Sequence, residues 1–239
     1  MLQWMQSFMT LVATTSALDR ERQTTPQVYD SLRESIICLQ LPPGQVLDRT
    51  ELAKTFSISQ TPVREALIRL REEYLVEVIP QVSTRVSLIS LARAEDAIFL
   101  RRAIELEVVH ELALRADVQL TTAMWAIWNR QQACEQAGDL DGFMTMDEEL
   151  HHLMYQWLRK ESLWRLVRIR SGDVDRIRWL HLPLPGKAKR VLEEHKQLIH
   201  ALEKNDVGLA QTYLRNHLPR SAEAFSQIRD EHPGFFSPI

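Results

Sequence analysis

Cysteine is nearly absent from this 239-residue chain: Cys38 and Cys134 are too few for a disulfide framework and read as two buried or half-buried reduced thiols, which fits a reducing cytosol. With 7 Gly and 10 Pro, the chain lacks the make-up of collagen-like or loop-dominated proteins and favours long uninterrupted elements. No run of about 18 consecutive apolar residues occurs, which argues against a membrane span. Neither sign of charge is in marked excess. The 29 basic and 32 acidic residues leave a net −3, so a generally polycationic nucleic-acid coat is excluded, while a local basic patch is not. Met1 to Leu18 is mildly apolar but has no basic n-region and is interrupted by Gln3, Gln6, Thr10, Thr14 and Thr15, so residues 1–25 read as an extension rather than a signal peptide.

What is present is 45% apolar residues, enough for a sizeable core and for two domains. The fold expected is mainly α: a winged helix-turn-helix over 26–90, an all-helical bundle of six or seven helices over 91–230, and a tail over 231–239. In the first part, apolar residues at helical spacing predict a helix over about 27–39, stopped by Leu41-Pro-Pro-Gly44. Asp48, with Glu51 three residues on, marks the start of a short helix to about Phe56. Ser59 or Thr61 can cap a third helix, with Pro62 in its first turn and Val63, Ala66, Leu67, Leu70 and Tyr74 as its apolar stripe. Gln60, Thr61 and Arg64 then stand near a helix N-terminus, where a helix-turn-helix presents side chains to base edges. Leu75 to Ile79 and Thr84 to Leu88 alternate like a two-stranded wing. Between Pro26 and Ser90, 7 basic residues face 8 acidic ones, so phosphate attraction depends on concentrating Arg49, Lys54, Arg64 and Arg85 on one face.

The second part carries apolar-periodic segments near 93–115, 119–137, 140–159, 161–180, 187–204 and 206–229. Asp147 and His151, four apart on one helix face, can grip a single metal ion. His195 and His217 lie eleven residues either side of Asp206; in an antiparallel helix hairpin that equal spacing puts them at one height. One Asp and three His from three helices make a donor set suited to Zn²⁺, Mn²⁺, Ni²⁺ or another first-row divalent ion. His152 points away from His151, and His110, His181, His200 and His232 have no comparable partners. The Arg101–Glu105 pair admits two readings, a helix-surface ion pair or an inward clamp on a carboxylate. Arg176 and Arg178 are either pocket residues or part of a charged helix face. The two Phe of Pro233-Gly-Phe-Phe-Ser-Pro238 could pack on a partner surface.

The string Ser59-Gln-Thr-Pro-Val-Arg-Glu-Ala-Leu-Ile-Arg-Leu70, after Pro43-Gly44 and Leu52-Ala53, resembles the DNA-binding domain of GntR-family transcriptional regulators. The helical part, with Arg101-Arg-Ala-Ile-Glu105, Asp147-x-x-x-His151, Glu194-His195 and Asn216-His217-Leu218, is similar to the FCD effector domain of the FadR subgroup. The resemblance covers about 26–230 and implies a homodimer that binds a pseudo-palindromic operator, with a small organic acid in the helical domain altering DNA affinity. It assigns the metal to Asp147, His151, His195 and His217, the carboxylate to Arg101, a base contact to Arg64, and phosphate or base-proximal positions to Ser59 and Thr61. Gln60 stands where the family usually has Arg and suits adenine better, so the operator should differ. Thr50 replaces a DNA-contacting Arg of some members, with Arg49 as a possible substitute, and the wing turn Gln81-Val-Ser-Thr-Arg85 lacks the usual Gly. Two other readings share the cluster: a helical metal-dependent hydrolase, although no general base stands out beside it, and a metal that only staples the bundle.

Overall fold

The computed structural model describes residues 18–19, 21–79, 83–115, 117–218 and 225–238. They divide into two compact units. One takes in the described chain up to Leu91, together with Gly172–Trp179 and the chain from Gln227; the other is Ala92–Ser171 with Leu180–Ser226.

In the winged unit, α1 (Thr24–Ile37) buries Val28, Leu32, Ser35 and Ile36 of the predicted stripe, whereas Leu39, its expected last member, lies beyond the helix at φ +62°. The Asp48 side chain accepts from the backbone N–H of Thr50 and Glu51 and so starts α2 (Arg49–Thr55). Glu51 turns to Lys54 instead of closing a capping box. Ser59 occupies the N-cap of α3 (Gln60–Glu72), yet its side chain makes no capping hydrogen bond. Tyr74 leaves the stripe: α3 has ended, its φ is +60°, and half of it is exposed. The wing pairs β1 (Val76–Ile79) antiparallel with β2 (Ser83–Val86), Val76 opposite Val86. Ser87 and Leu88, expected in the second strand, lie beyond it. Residues 44–47 add a third edge, with Leu47 N–H donating to Thr84 O at 2.8 Å. The glycine-free wing turn at 80–82 lies outside the described residues.

The helical unit begins along α4 (Leu91–Ala113). Asp117 caps α5 (Val118–Ala137), and Gly138, at φ +70°, takes the left-handed conformation that ends it. Asp139 caps α6 (Leu140–Trp157) and α7 (Glu161–Arg170) follows. Where one helix was expected over 161–180, there is a break at Ser171. Its hydroxyl donates back to Val167 O, and α8 (Gly172–His181) restarts beside it. α9 (Lys187–Glu203) and α10 (Val207–His217) form the hairpin, turning through Asn205 at φ +53° with Asp206 as N-cap. α5 packs on α6 and α9, and α9 on α10. The helix expected over 206–229 stops at His217: Leu218 precedes Pro219 and is extended, as proline's ring demands of its neighbour.

The segment read as a tail is integrated. After α11 (Ser226–Glu231) a 3-10 turn covers Pro233–Phe235, Phe236 is buried, and it bridges Ile89 in parallel, so this ring packs within its own chain. Among the described residues no helix is long and apolar enough to cross a membrane.

Candidate functional site

The amphipathic pattern of α6 turns Asp147 and His151 inward, and the hairpin brings His195 and His217 to meet them. One ligand atom from each of the four lies within 4.8 Å of all the others. Asp147, His151 and His195 have no solvent exposure. His151 Nε2 is 3.1 Å from His217 Nε2, His195 Nε2 is 3.3 Å from the same atom, and Asp147 Oδ1 is 3.6 Å from His195 Nε2.

The outward ring nitrogens explain this geometry. His151 Nδ1 lies 2.9 Å from Glu105 Oε2, His195 Nδ1 2.8 Å from Gln131 Oε1, and His217 Nδ1 3.1 Å from Glu194 Oε2. All three neighbours can accept, although the His151–Glu105 approach is not aligned as a hydrogen bond; a ring proton on each Nδ1 satisfies them and leaves each Nε2 with a lone pair for the common centre. Lone pairs facing one another at this range repel unless a cation or shared proton lies among them. Tetrahedral ligands about 2.0–2.1 Å from a zinc ion stand about 3.3 Å apart, close to the separations found. The donor set of three imidazoles and a carboxylate fits a borderline divalent ion better than the oxygen-seeking Ca²⁺ or Mg²⁺.

Arg101 and Glu105 form a buried pair, not a surface one: Arg101 Nε donates to Glu105 Oε1 at 2.6 Å, and the Glu105 side chain is fully buried. Burial pushes the Glu105 carboxyl pKa up, but Arg101 and His151 outweigh it and hold it down at about 2. Burial also lowers the His151 pKa, against the pull of Glu105, which keeps that ring neutral and able to ligate. Further along the same face of α6, the Tyr155 hydroxyl is buried and has no hydrogen-bond partner among the described residues. Burial and Glu105 raise its pKa, with Arg101 opposing, so it remains a donor.

In the winged unit, Arg49, Ser59, Gln60, Thr61 and Arg64 are exposed at the starts of α2 and α3. Gln60 Nε2 donates to Thr50 Oγ1 at 3.2 Å, tying the two helix starts together. Lys54 is exposed beside Glu51, and half-exposed Arg85 pairs with Glu77 across the wing ladder.

The sequence matches the FCD domain over residues 96–220 and the gntR family of bacterial regulatory proteins over 24–86. This chain belongs to the GntR family. The regulator is 32% identical to an HTH-type transcriptional regulator in an unstable DNA locus of Streptomyces ambofaciens, over 90% of this chain and 91% of that protein. It is 28% identical to the HTH-type transcriptional repressor RspR of Escherichia coli K12, over 92% and 96%. Its fold is shared with E. coli McbR/YncC, at a TM-score of 0.74 and 21% identity over 87% of this chain and 99% of that one. It is shared too with a GntR regulator from Rhodococcus sp. RHA1, at 0.69 and 19% over 87% and 98%. These matches identify a DNA-binding transcriptional regulator with an FCD effector domain, not an enzyme, and the hydrolase reading falls.

Several residues of the regulator escaped the sequence reading. Gln131 comes from α5, 64 residues before His195, and no spacing rule points to it. Glu105 and Glu194 were in view as neighbours of other residues, but not as acceptors for imidazoles. Arg176, read either as a pocket residue or as part of a charged helix face, is fully buried. It is in the winged unit, bonded to Asp173 and to Ser87 O. Arg178 reaches Asp175 of the same helix at 3.8 Å.

Proposed function

We propose that the regulator is a cytoplasmic homodimer whose affinity for a pseudo-palindromic operator is set by a small carboxylate at a metal centre in the helical unit. The inward trio of Nε2 atoms, each backed by an acceptor on Nδ1, carries this reading. Asp147, His151, His195 and His217 would hold a divalent ion, zinc first, with manganese or nickel as alternatives. Bound there, the ion supplies a Lewis-acidic position for one carboxylate oxygen. The charges favour such a ligand. Asp147, Glu105 and Arg101 together carry −1, a divalent cation turns this to +1, and a monoanion neutralises it; Glu194 is offset by Arg190, 3.5 Å away. Arg101 would orient the ligand's carboxylate, and Tyr155 offers it a further donor.

On DNA, α3 would enter the major groove. Arg64 and Gln60 would face base edges, while Arg49, Lys54, Ser59, Thr61 and Arg85 approach phosphates or the adjoining groove. Two linked half-sites offset the weak net attraction of one module. The test is fluorescence anisotropy with a duplex selected from random DNA by the wild-type protein, with and without Zn²⁺ and with malonate, citrate and acetate added singly. Affinity that changes with a carboxylate only in the zinc-loaded protein supports the reading. Zinc that raises thermal stability while every acid leaves DNA binding unchanged would replace it with a structural staple.

A further inference from the structure

We propose that α8 is a working part of the DNA-binding head, with Asp173 and Arg176 as positioning residues for the wing, and that effector state reaches the head through this helix. Its sequence, Gly172-Asp-Val-Asp-Arg-Ile-Arg-Trp179, is strongly charged, yet Gly172 through Ile177 are all buried. Arg176 has no exposure. Its Nη1 donates to Ser87 O at 2.6 Å, its Nη2 to Asp173 Oδ1 at 2.6 Å, and its Nε to Gly172 O at 3.3 Å. Asp173 Oδ1 also accepts from Ser90 N–H at 3.1 Å. Ser87 directly follows β2 and Ser90 directly precedes α4, so a single guanidinium–carboxylate pair fixes both ends of the segment by which the wing leaves the head.

The same helix reaches the rest of that unit. Asp175 is buried and is the strongest of the charges holding Arg33 of α1 protonated against its burial; Arg33 in turn pairs at 3.0 Å with Glu73, just past the end of α3. Trp179 packs against the core of Val28, Leu32 and Leu70. Gly172 packs closely on Leu75: a Cβ there would stand 2.7 Å from Leu75 Cδ2, so the Leu75 side chain would have to shift. Apolar residues would fill such a site with no desolvation penalty, so a buried ionic lattice is poor design for stability alone and better suited to fixing one arrangement. Ser171, just before α8, and Leu180, in its last turn, belong to the helical unit. α7, on one side, packs against the helix bearing Asp147 and His151, and α9, on the other, bears His195. These connections are the route by which a change in either neighbour would reach α8.

The coupling half of this proposal rests on the metal-responsive reading above; the positioning half does not. The experiment uses the full chain and its Asp173→Asn and Arg176→Lys variants. A duplex selected by the wild type and a scrambled duplex are each titrated with and without Zn²⁺, alongside zinc uptake and thermal melting. Expected is at least a tenfold loss of affinity for the selected duplex, unchanged affinity for the scrambled one, unchanged zinc uptake, and a zinc effect on DNA binding reduced to within twofold of none. The milder Asp173→Asn, which keeps an acceptor for Ser90, decides the matter if Arg176→Lys does not fold. Selected-duplex affinity and zinc effect both within twofold of wild type in a folded variant overturn the proposal. Equal losses on both duplexes together with a lowered melting temperature also overturn it, since that is the mark of a structural role. A wild type indifferent to zinc defeats the metal-responsive reading and the coupling with it, leaving positioning to be judged on affinity.

Discussion

The helical unit and the winged unit place the polar groups of their candidate sites under opposite rules. In the helical unit the four clustered side chains are buried or nearly so, and each imidazole has its far nitrogen assigned to an acceptor. In the winged unit Arg49, Gln60, Thr61 and Arg64 stand in solvent, and Gln60 is tied to Thr50 by one exposed hydrogen bond. A centre for a small ion must be built in advance, because the ion contributes no shape of its own and its ligands must be held in place. A surface for a long polyanion can leave its long side chains loose, because the duplex orders them on contact and the phosphates supply the attraction.

The sharpest way to break this contrast is inside the cluster. His195→Ala should lower zinc affinity by more than about a hundredfold, as measured by competition with a chromogenic chelator, while leaving DNA binding in the absence of metal largely intact. Next is Arg64→Ala, which should weaken binding to the selected duplex about tenfold or more and leave the scrambled duplex nearly unaffected. An equal loss on both would make Arg64 a phosphate contact. Third, Gln131→Leu should cost about tenfold in zinc affinity without touching the ion, since it releases His195 from its fixed ring orientation. An unchanged affinity would mean packing alone aims that ring.

The smallest effect is expected in alkali and concerns the winged unit's own buried network. Burial, a hydrogen bond to Glu73 and the charge of that carboxylate push the Tyr29 hydroxyl pKa up from 10.0 to about 12, against the opposing pull of Arg33 and Arg69. Between those values the unfolded chain has lost this proton and the folded one has kept it, so stability present below pH 10 declines as the pH rises toward 12. Tyr29→Phe should flatten that part of a urea-denaturation profile, and an unaltered slope would remove Tyr29 as its source.

Much of this arrangement is visible in sequence because it follows local periodicity. Asp147 and His151 share a helix face by their spacing, the equal distances of His195 and His217 from Asp206 give the hairpin register, and Asp48 marks the start of α2. What escaped is tertiary. The dipeptide Ser171-Gly172 carries a turn signal, but the packing of Gly172 against Leu75, far away in sequence, does not show in it. The contact of Phe236 with Ile89 joins positions 147 residues apart, and Gln131 finds His195 across two helices. The end of α10 is a different kind of miss, since Pro219 was present in the sequence to signal it.

That early stop has a consequence of its own. His217 stands on the last turn of α10, where the final carbonyls have no partner within the helix. A cation that draws its ring inward would clamp this helix end, so amide protons from Leu214 to Leu218 should exchange more slowly as the centre fills. The tip of one rod thus becomes a gauge of occupancy, readable without knowing which acid the cell supplies.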